Sequence, residues 1–466
     1  VGELAAGDLV AVDATGDVYV ADTYNDSIRV IRADGHVITL AGGERPGYQD
    51  GPAIAARFDT PTALAVDALG NIWVADTRNN AIRKLTSGGE VSTLVSALPG
   101  DTNAVRRPLS LAVTRDGLLY VGEMARGRIL QLSRAGQWHV LTGARGQQLS
   151  RPSGLAINAA GALYVADATS YRVHKISPLA EGAVPSLATV GPAADHPLPD
   201  TAGRWPLRPQ DGWHEVVGTL GEVRGNYQGE NRDHLHSGLD IRGDVGAEVL
   251  AIADAKVSSP SGTWGTGGQG EGVALDSISY IHMRVGRTAQ GVAIDPQRFH
   301  MLQDDVGVLG RVRVRRGTRF KVGDVLGTLN GLAHVHLSVG ANGFERNAVA
   351  LGFKDYADRY PPRIDSIRLV DSLEQPLQQK EKGRLLVPRD LSRVQILVEA
   401  WDQVDRNLPR RRLGLHALGY QILGSDGTPL PGYETPRMNI EFNRMPADID
   451  AVKIAYGPDS GVTAHG

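Results

Sequence analysis

Short apolar runs, each closed by a turn containing Gly, Asp or Asn, recur at a regular spacing through residues 1–180. That is the pattern of strands and tight turns. The segment Asp17-Val-Tyr-Val-Ala-Asp-Thr23 returns as Asn71-Ile-Trp-Val-Ala-Asp-Thr77, Leu118-Leu-Tyr-Val-Gly-Glu-Met124 and Ala162-Leu-Tyr-Val-Ala-Asp-Ala168. An apolar strand and turn precede each copy, as in Leu64-Ala-Val-Asp-Ala-Leu-Gly70. A strand of the Ile-Arg kind follows, as in Ser27-Ile-Arg-Val-Ile31 and Ala81-Ile-Arg-Lys-Leu85. A repeat of about 45–55 residues made only of strands predicts β-propeller blades.

The wording of these repeats resembles the NHL type of propeller. Four blades are visible, where such rings commonly hold about six, so further blades are expected upstream of Val1. Asp22, Asp76 and Asp167 recur at one blade position and are expected to make strand-end hydrogen bonds rather than a ring of metal ligands. His36, His139 and His174 are scattered and read as ordinary residues. Residues 181–212, rich in Pro, Ala and Asp, read as a linker.

The pattern changes after Trp213. Val335, Leu337 and Val339 alternate with His334 and His336, so both imidazoles fall on one face of a strand. His236 and Asp240 are four apart, an even offset that lets an extended segment aim both at one point. Six of the thirteen histidines lie between His234 and His336, a crowding that points to a shared site. Two imidazoles and a carboxylate make a three-ligand set for zinc, and a catalytic zinc keeps its fourth position for water.

The segments His236-Ser-Gly-Leu-Asp240, Tyr280-Ile-His282, Gly323-Asp-Val-Leu-Gly327 and His334-Val-His336 together resemble the M23 (LytM-type, lysostaphin-like) zinc metallopeptidases. The resemblance covers roughly residues 213–353. It implies Zn²⁺ held by His236, Asp240 and His336. It also implies that His282 and His334 flank the reacting water, one as base and one as stabiliser of the oxyanion, with their order left open. The implied substrate is a peptide of bacterial peptidoglycan. His234 shares the parity of His236 and reads as an outer or surface residue.

Two stretches bordering these motifs depart from the family: Leu329-Asn-Gly-Leu-Ala333 and Gly272-Val-Ala-Leu-Asp-Ser-Ile-Ser279. Ser258 to Gly272 reads as a long mobile loop walling a groove. Gly310-Arg-Val-Arg-Val-Arg-Arg-Gly317 reads as a strand with a solvated charged face.

Beyond Pro361-Pro362, the alternating runs Ile364–Val370, Arg393–Trp401 and Leu418–Leu423 predict an immunoglobulin-like sandwich. The expected division is therefore propeller blades over 1–180, linker over 181–212, an M23-like zinc domain over 213–356 and a sandwich over 357–466, all-β throughout.

Composition narrows the function classes. A net charge of −3 argues against nucleic acid as a partner, and no apolar run is long enough to span a bilayer. The chain has no cysteine, which excludes thiolate ligands and disulfides. No leader of the secretory type precedes the blades in this sequence, while the implied substrate places the protein outside the cytoplasm. The leading expectation is a zinc endopeptidase of the cell wall. The alternative is a catalytically silent M23-like module that binds or regulates, with the propeller as an adhesion or scaffold domain for a protein or glycan.

Overall fold

The computed structural model describes residues 10–43, 45–96, 105–133, 137–142, 148–178, 198–200, 203–225, 234–304, 306–373, 375–391, 393–446, 448, 450–457 and 460. Its elements are almost all strands, with one short α-helix, Ala451–Ala455, among the described residues. No helix there is long and apolar enough to cross a membrane.

The first part forms four antiparallel sheets in a row. Their first strands are Val10–Val12, Pro61–Val66, Pro108–Val113 and Pro152–Ile157, and neighbouring blades meet along them. Each blade has two apolar faces, so the space between blades fills with side chains from both. Ile28 and Ala41 meet Phe58, Leu64 and Val74 between the first two. Ile82 meets Leu111 and Val121 at the next junction, and Ile129 meets Leu163 and Val165 at the last.

The repeated acids close the strand ends. Asp76 accepts the amide of Asp59 at 2.7 Å, and Asp167 accepts the amides of Arg151 and Ser150 at 2.6 and 2.9 Å.

The second part is built on a six-stranded sheet. Its spatial order is Val216–Gly218, Leu239–Arg242, His334–Val339, Ile278–Ile281, Gly272–Leu275 and Thr263–Trp264. The strand His334–Val339 lies inside it and is buried along its whole length. Alternation splits its residues between two environments. Val335, Leu337 and Val339 enter a core with Ile241, Val249, Tyr280, Leu326 and Leu329, while His334 and His336 face the other way.

Four expectations change. Residues 181–197 and 201–202 of the expected linker lie outside the described residues. Its end is no linker: Trp205 and Leu207 are buried in the core, and Trp205 stacks on Phe353 with ring centroids 4.5 Å apart. The Ser258–Gly272 stretch is not a plain loop, because Thr263–Trp264 pairs with Gly272 and Val273 as the edge strand.

The arginine-rich stretch is solvated only at its end, where Arg315 and Arg316 are exposed, while Arg311 and Arg313 are buried. Arg313 Nη2 donates to both Asp26 oxygens at 2.8 and 2.9 Å, and Arg311 pairs with Asp59, so its charged face is docked on the propeller.

The sandwich, finally, is not formed as two facing sheets among the described residues. Its strands pair only two by two, and Ile364, Ile367, Ile396 and Met438 are exposed. Its buried residues instead pack on the central unit: Val404 and Leu413 join the main core, and Phe442 and Val452 meet Leu220, Val223 and Leu235.

Candidate metal centre

Register brings the acidic and imidazole groups together. Asp240 lies directly opposite His336, and Arg242 opposite His334, across the antiparallel pair. Opposed residues share a face, so Asp240, His336 and His334 all project to one side. His236 reaches them from the turn just before Leu239–Arg242. Gly238 in that turn is required by close approach, since a Cβ there would sit 2.6 Å from His336 Nε2.

The result is a tight triangle. His236 Nε2 is 3.0 Å from Asp240 Oδ1 and 2.8 Å from His336 Nδ1, and His336 Nδ1 is 2.9 Å from the same Asp240 oxygen. All three residues are buried.

The outer nitrogens decide the protonation. His236 Nδ1 donates to the carbonyl of Thr219 at 2.8 Å. His336 Nε2 donates to Ser338 Oγ at 2.8 Å, whose own proton goes to the carbonyl of Ser237 at 3.2 Å. With each neutral ring's proton committed outward, three lone-pair donors face one another. That donor set fits a divalent cation of the zinc type, and the outward bonds are the usual supports of metal-ligating histidines.

Burial pushes the Asp240 carboxyl up, but when a proton in place of a cation sits among the three groups, the His236 charge and the hydrogen bonds from both histidines outweigh burial and hold the carboxyl well below its usual range. Arg224 lies 3.3 Å from its other oxygen. Burial lowers the His336 pKa, which favours the neutral ring.

Two more rings border the triangle. His334 donates Nδ1–H to the carbonyl of Leu332 at 2.8 Å, which leaves Nε2 as its basic nitrogen, 3.8 Å from Asp240 Oδ1. His282 joins the strands Ile278–Ile281 and Met283–Val285 in the left-handed backbone region, with φ of 70°. Its ring centroid lies 4.7 Å from that of His334 and 5.9 Å from that of His336. Its Nδ1 donates to the carbonyl of Gln269 at 2.9 Å, and burial lowers its pKa to about 4 against that bond, so the ring is neutral at pH 7.

His234 stands apart, exposed on the short strand His234–Leu235. Tyr280 points into the core, where its hydroxyl accepts the amide of Ile252 at 2.9 Å. His300 pairs with Arg313 in the docked hairpin, away from the triangle.

Sequence reasoning missed the supports. Ser338 was legible, being two residues after His336 on the same face. Thr219 and Gln269 were not, because they act through backbone carbonyls that any residue carries.

Fold and site together define an all-β protein in which propeller blades adjoin a sheet bearing a candidate metal centre. The NHL repeat family matches residues 58–85, within the second blade, which supports the NHL reading of the repeats. NHL repeat-containing protein 2 of Bos taurus is 25% identical over 229 residues, 40% of this chain and 31% of that protein. Protein SUPPRESSOR OF QUENCHING 1, chloroplastic, of Arabidopsis thaliana is 35% identical over 88 residues, 18% of this chain and 8% of that protein. The chain thus spans less than a third of these relatives' length. Among solved structures, virginiamycin B lyase from Staphylococcus aureus is 16% identical with a TM-score of 0.31, covering 52% of this chain and 68% of that one. So low a score carries no functional argument.

Proposed function

We propose that the unit around the triangle is a zinc-dependent endopeptidase of the M23 type, acting outside the cytoplasm on peptides of bacterial peptidoglycan. The observation that carries this reading is the set of three lone pairs within 3.0 Å of one another, with both ring protons directed outward. His236, Asp240 and His336 would hold the ion, which when bound supplies a Lewis acid and lowers the pKa of bound water to about 7.

The chain's own residues supply the rest. His282 and His334 each hold Nδ1–H on a carbonyl, so each offers Nε2 as a proton acceptor beside the triangle. One takes the proton of the attacking water. The other takes up a proton from solvent as the scissile carbonyl becomes tetrahedral and its oxygen gains charge, and donates it to that oxygen.

Metal analysis of the purified chain tests the reading first. About one zinc per chain is expected, and His336→Ala and Asp240→Ala should each lose most of it. Wild-type protein that stays metal-free after zinc supplementation would sink the reading. Digestion of cell-wall peptides by the zinc-loaded protein is the second test.

A second reading is favoured by the relatives named for NHL repeats and by the NHL repeat match over residues 58–85 of this chain. In it the propeller's binding or scaffold role for a protein or glycan is primary, and the metal unit binds or regulates without cleaving. The similarity supports this scaffold role more directly than it supports peptidase activity. Full zinc occupancy with no cleavage of any cell-wall peptide would select it.

A further inference from the structure

The edge strand Thr263–Trp264 is only two residues long, too short to hold a sheet edge by itself. It is held from outside. Arg78 of the second blade donates to the Thr263 carbonyl at 2.6 Å and to its hydroxyl at 3.1 Å. The Thr263 hydroxyl donates to the carbonyl of Val312 at 2.6 Å, and the amide of Val312 to Thr266 Oγ1 at 3.3 Å. Val312 is itself fixed between Arg311 and Arg313, which end on Asp59 and Asp26 of the propeller.

Between this edge and the next strand runs Gly265-Thr-Gly-Gly-Gln-Gly270. So many glycines make a segment that loses much entropy on ordering and does not fix its own shape. Yet its Gln269 carbonyl accepts from both His282 Nδ1 at 2.9 Å and Asn330 Nδ2 at 2.8 Å. The bond to His282 sets that ring's tautomer and angle. An ordered carbonyl on a glycine-rich turn needs anchors at both ends: Glu271, paired with Arg287, accepts the Gly267 amide at 2.8 Å on one side, and the propeller holds Thr263 on the other.

We infer that the propeller is a positioning element for His282, acting through Arg78, the Arg311–Arg313 strand and the Gln269 carbonyl. The catalytic part of this inference rests on the peptidase reading above. The positioning itself does not. The propeller is thereby tied to the proton-handling side of the site, while the ligand triangle, on two interior strands of the same sheet and the turn before one of them, is not in the path.

The test uses the full chain. Arg78→Gln and the double change Arg311→Gln with Arg313→Gln release the edge from one side, and Asp26→Asn with Asp59→Asn from the other. Hydrogen exchange at the amides of Gly268 and Glu271 should quicken by about tenfold or more. Histidine ¹⁵N–¹H correlations should show His282 losing its uniform Nδ1–H form, with zinc content unchanged. Exchange and tautomer matching the parent in both sets would overturn the inference.

Should the charge variants fail to fold, Thr263→Ala removes the single pivot hydroxyl, and the same two readouts decide. If the zinc-loaded parent cleaves no cell-wall peptide, the peptidase reading falls while exchange and tautomer still decide the positioning.

Discussion

Ser338 shows how much of the site lies one layer behind the triangle. Its hydroxyl accepts the His336 Nε2–H bond and donates to the Ser237 carbonyl, so it keeps Nδ1 as the inward nitrogen. Ser338→Ala should weaken zinc binding by about 10–100-fold while leaving the fold intact, as read by competition with a chelator. His282→Ala and His334→Ala should do the reverse, keeping zinc and losing about 10²–10⁴-fold in peptide hydrolysis.

A third residue-scale prediction concerns Glu345, whose pKa burial raises against hydrogen bonds from its own amide and that of Gly343. A raised acid binds its proton more tightly folded than unfolded. Its contribution is therefore most favourable below the ordinary glutamate pKa and is lost as pH rises through the folded value. Glu345→Gln should raise the melting temperature relative to the parent, by a margin that grows with pH across that window. A margin that shrinks with pH would refute it.

At the scale of elements, alternation and parity made the site legible. The offsets within His236–Asp240 and His334–His336 predict shared faces, and the register of Asp240 opposite His336 joins them. The repeated Val-Ala-Asp segments likewise announced the blades. Partners of strands are a different matter, because a period of two says that a face is buried but not against what.

The arginine-rich strand has the pattern of a solvated edge, and only Asp26 and Asp59, more than 250 positions away, make it an interface. Trp205 was hidden for a similar reason: a single aromatic among prolines has no period to read. It is nonetheless fully buried. Trp205→Ala should cost about 3–5 kcal/mol, measured by denaturant unfolding. A loss under about 1 kcal/mol would return that segment to the class of linkers.

Over the whole molecule, the central sheet is held at both edges by flanking parts of the chain. On the propeller side the hold ends at the carbonyl of Gln269. On the other, Asn407 brackets Val216 with bonds of 3.2 and 2.7 Å, and Gly414 donates to Glu222, whose carboxylate fixes Thr219. The carbonyl of Thr219 then holds His236. Each flank thus terminates on one histidine. Asn407→Ala strips both bonds from a buried edge and should cost about 1–3 kcal/mol in stability. It should also weaken zinc binding, because it disturbs the His236 side. The two releases are expected to differ: the C-terminal one disturbs metal affinity, the propeller one proton handling.

The left-handed backbone at His282 bears on how the protein can change over time. A side chain there carries a conformational penalty of about 1–2 kcal/mol that glycine escapes. Glycine would forfeit one hydrogen bond, worth about 0.5–1.5 kcal/mol, in exchange. The two nearly cancel, so folding alone exerts almost no pressure to keep histidine at this position. A His282→Gly chain should melt within a few degrees of the parent and persist equally well in cells. In lineages where the proposed chemistry no longer mattered, folding would do little to preserve this imidazole.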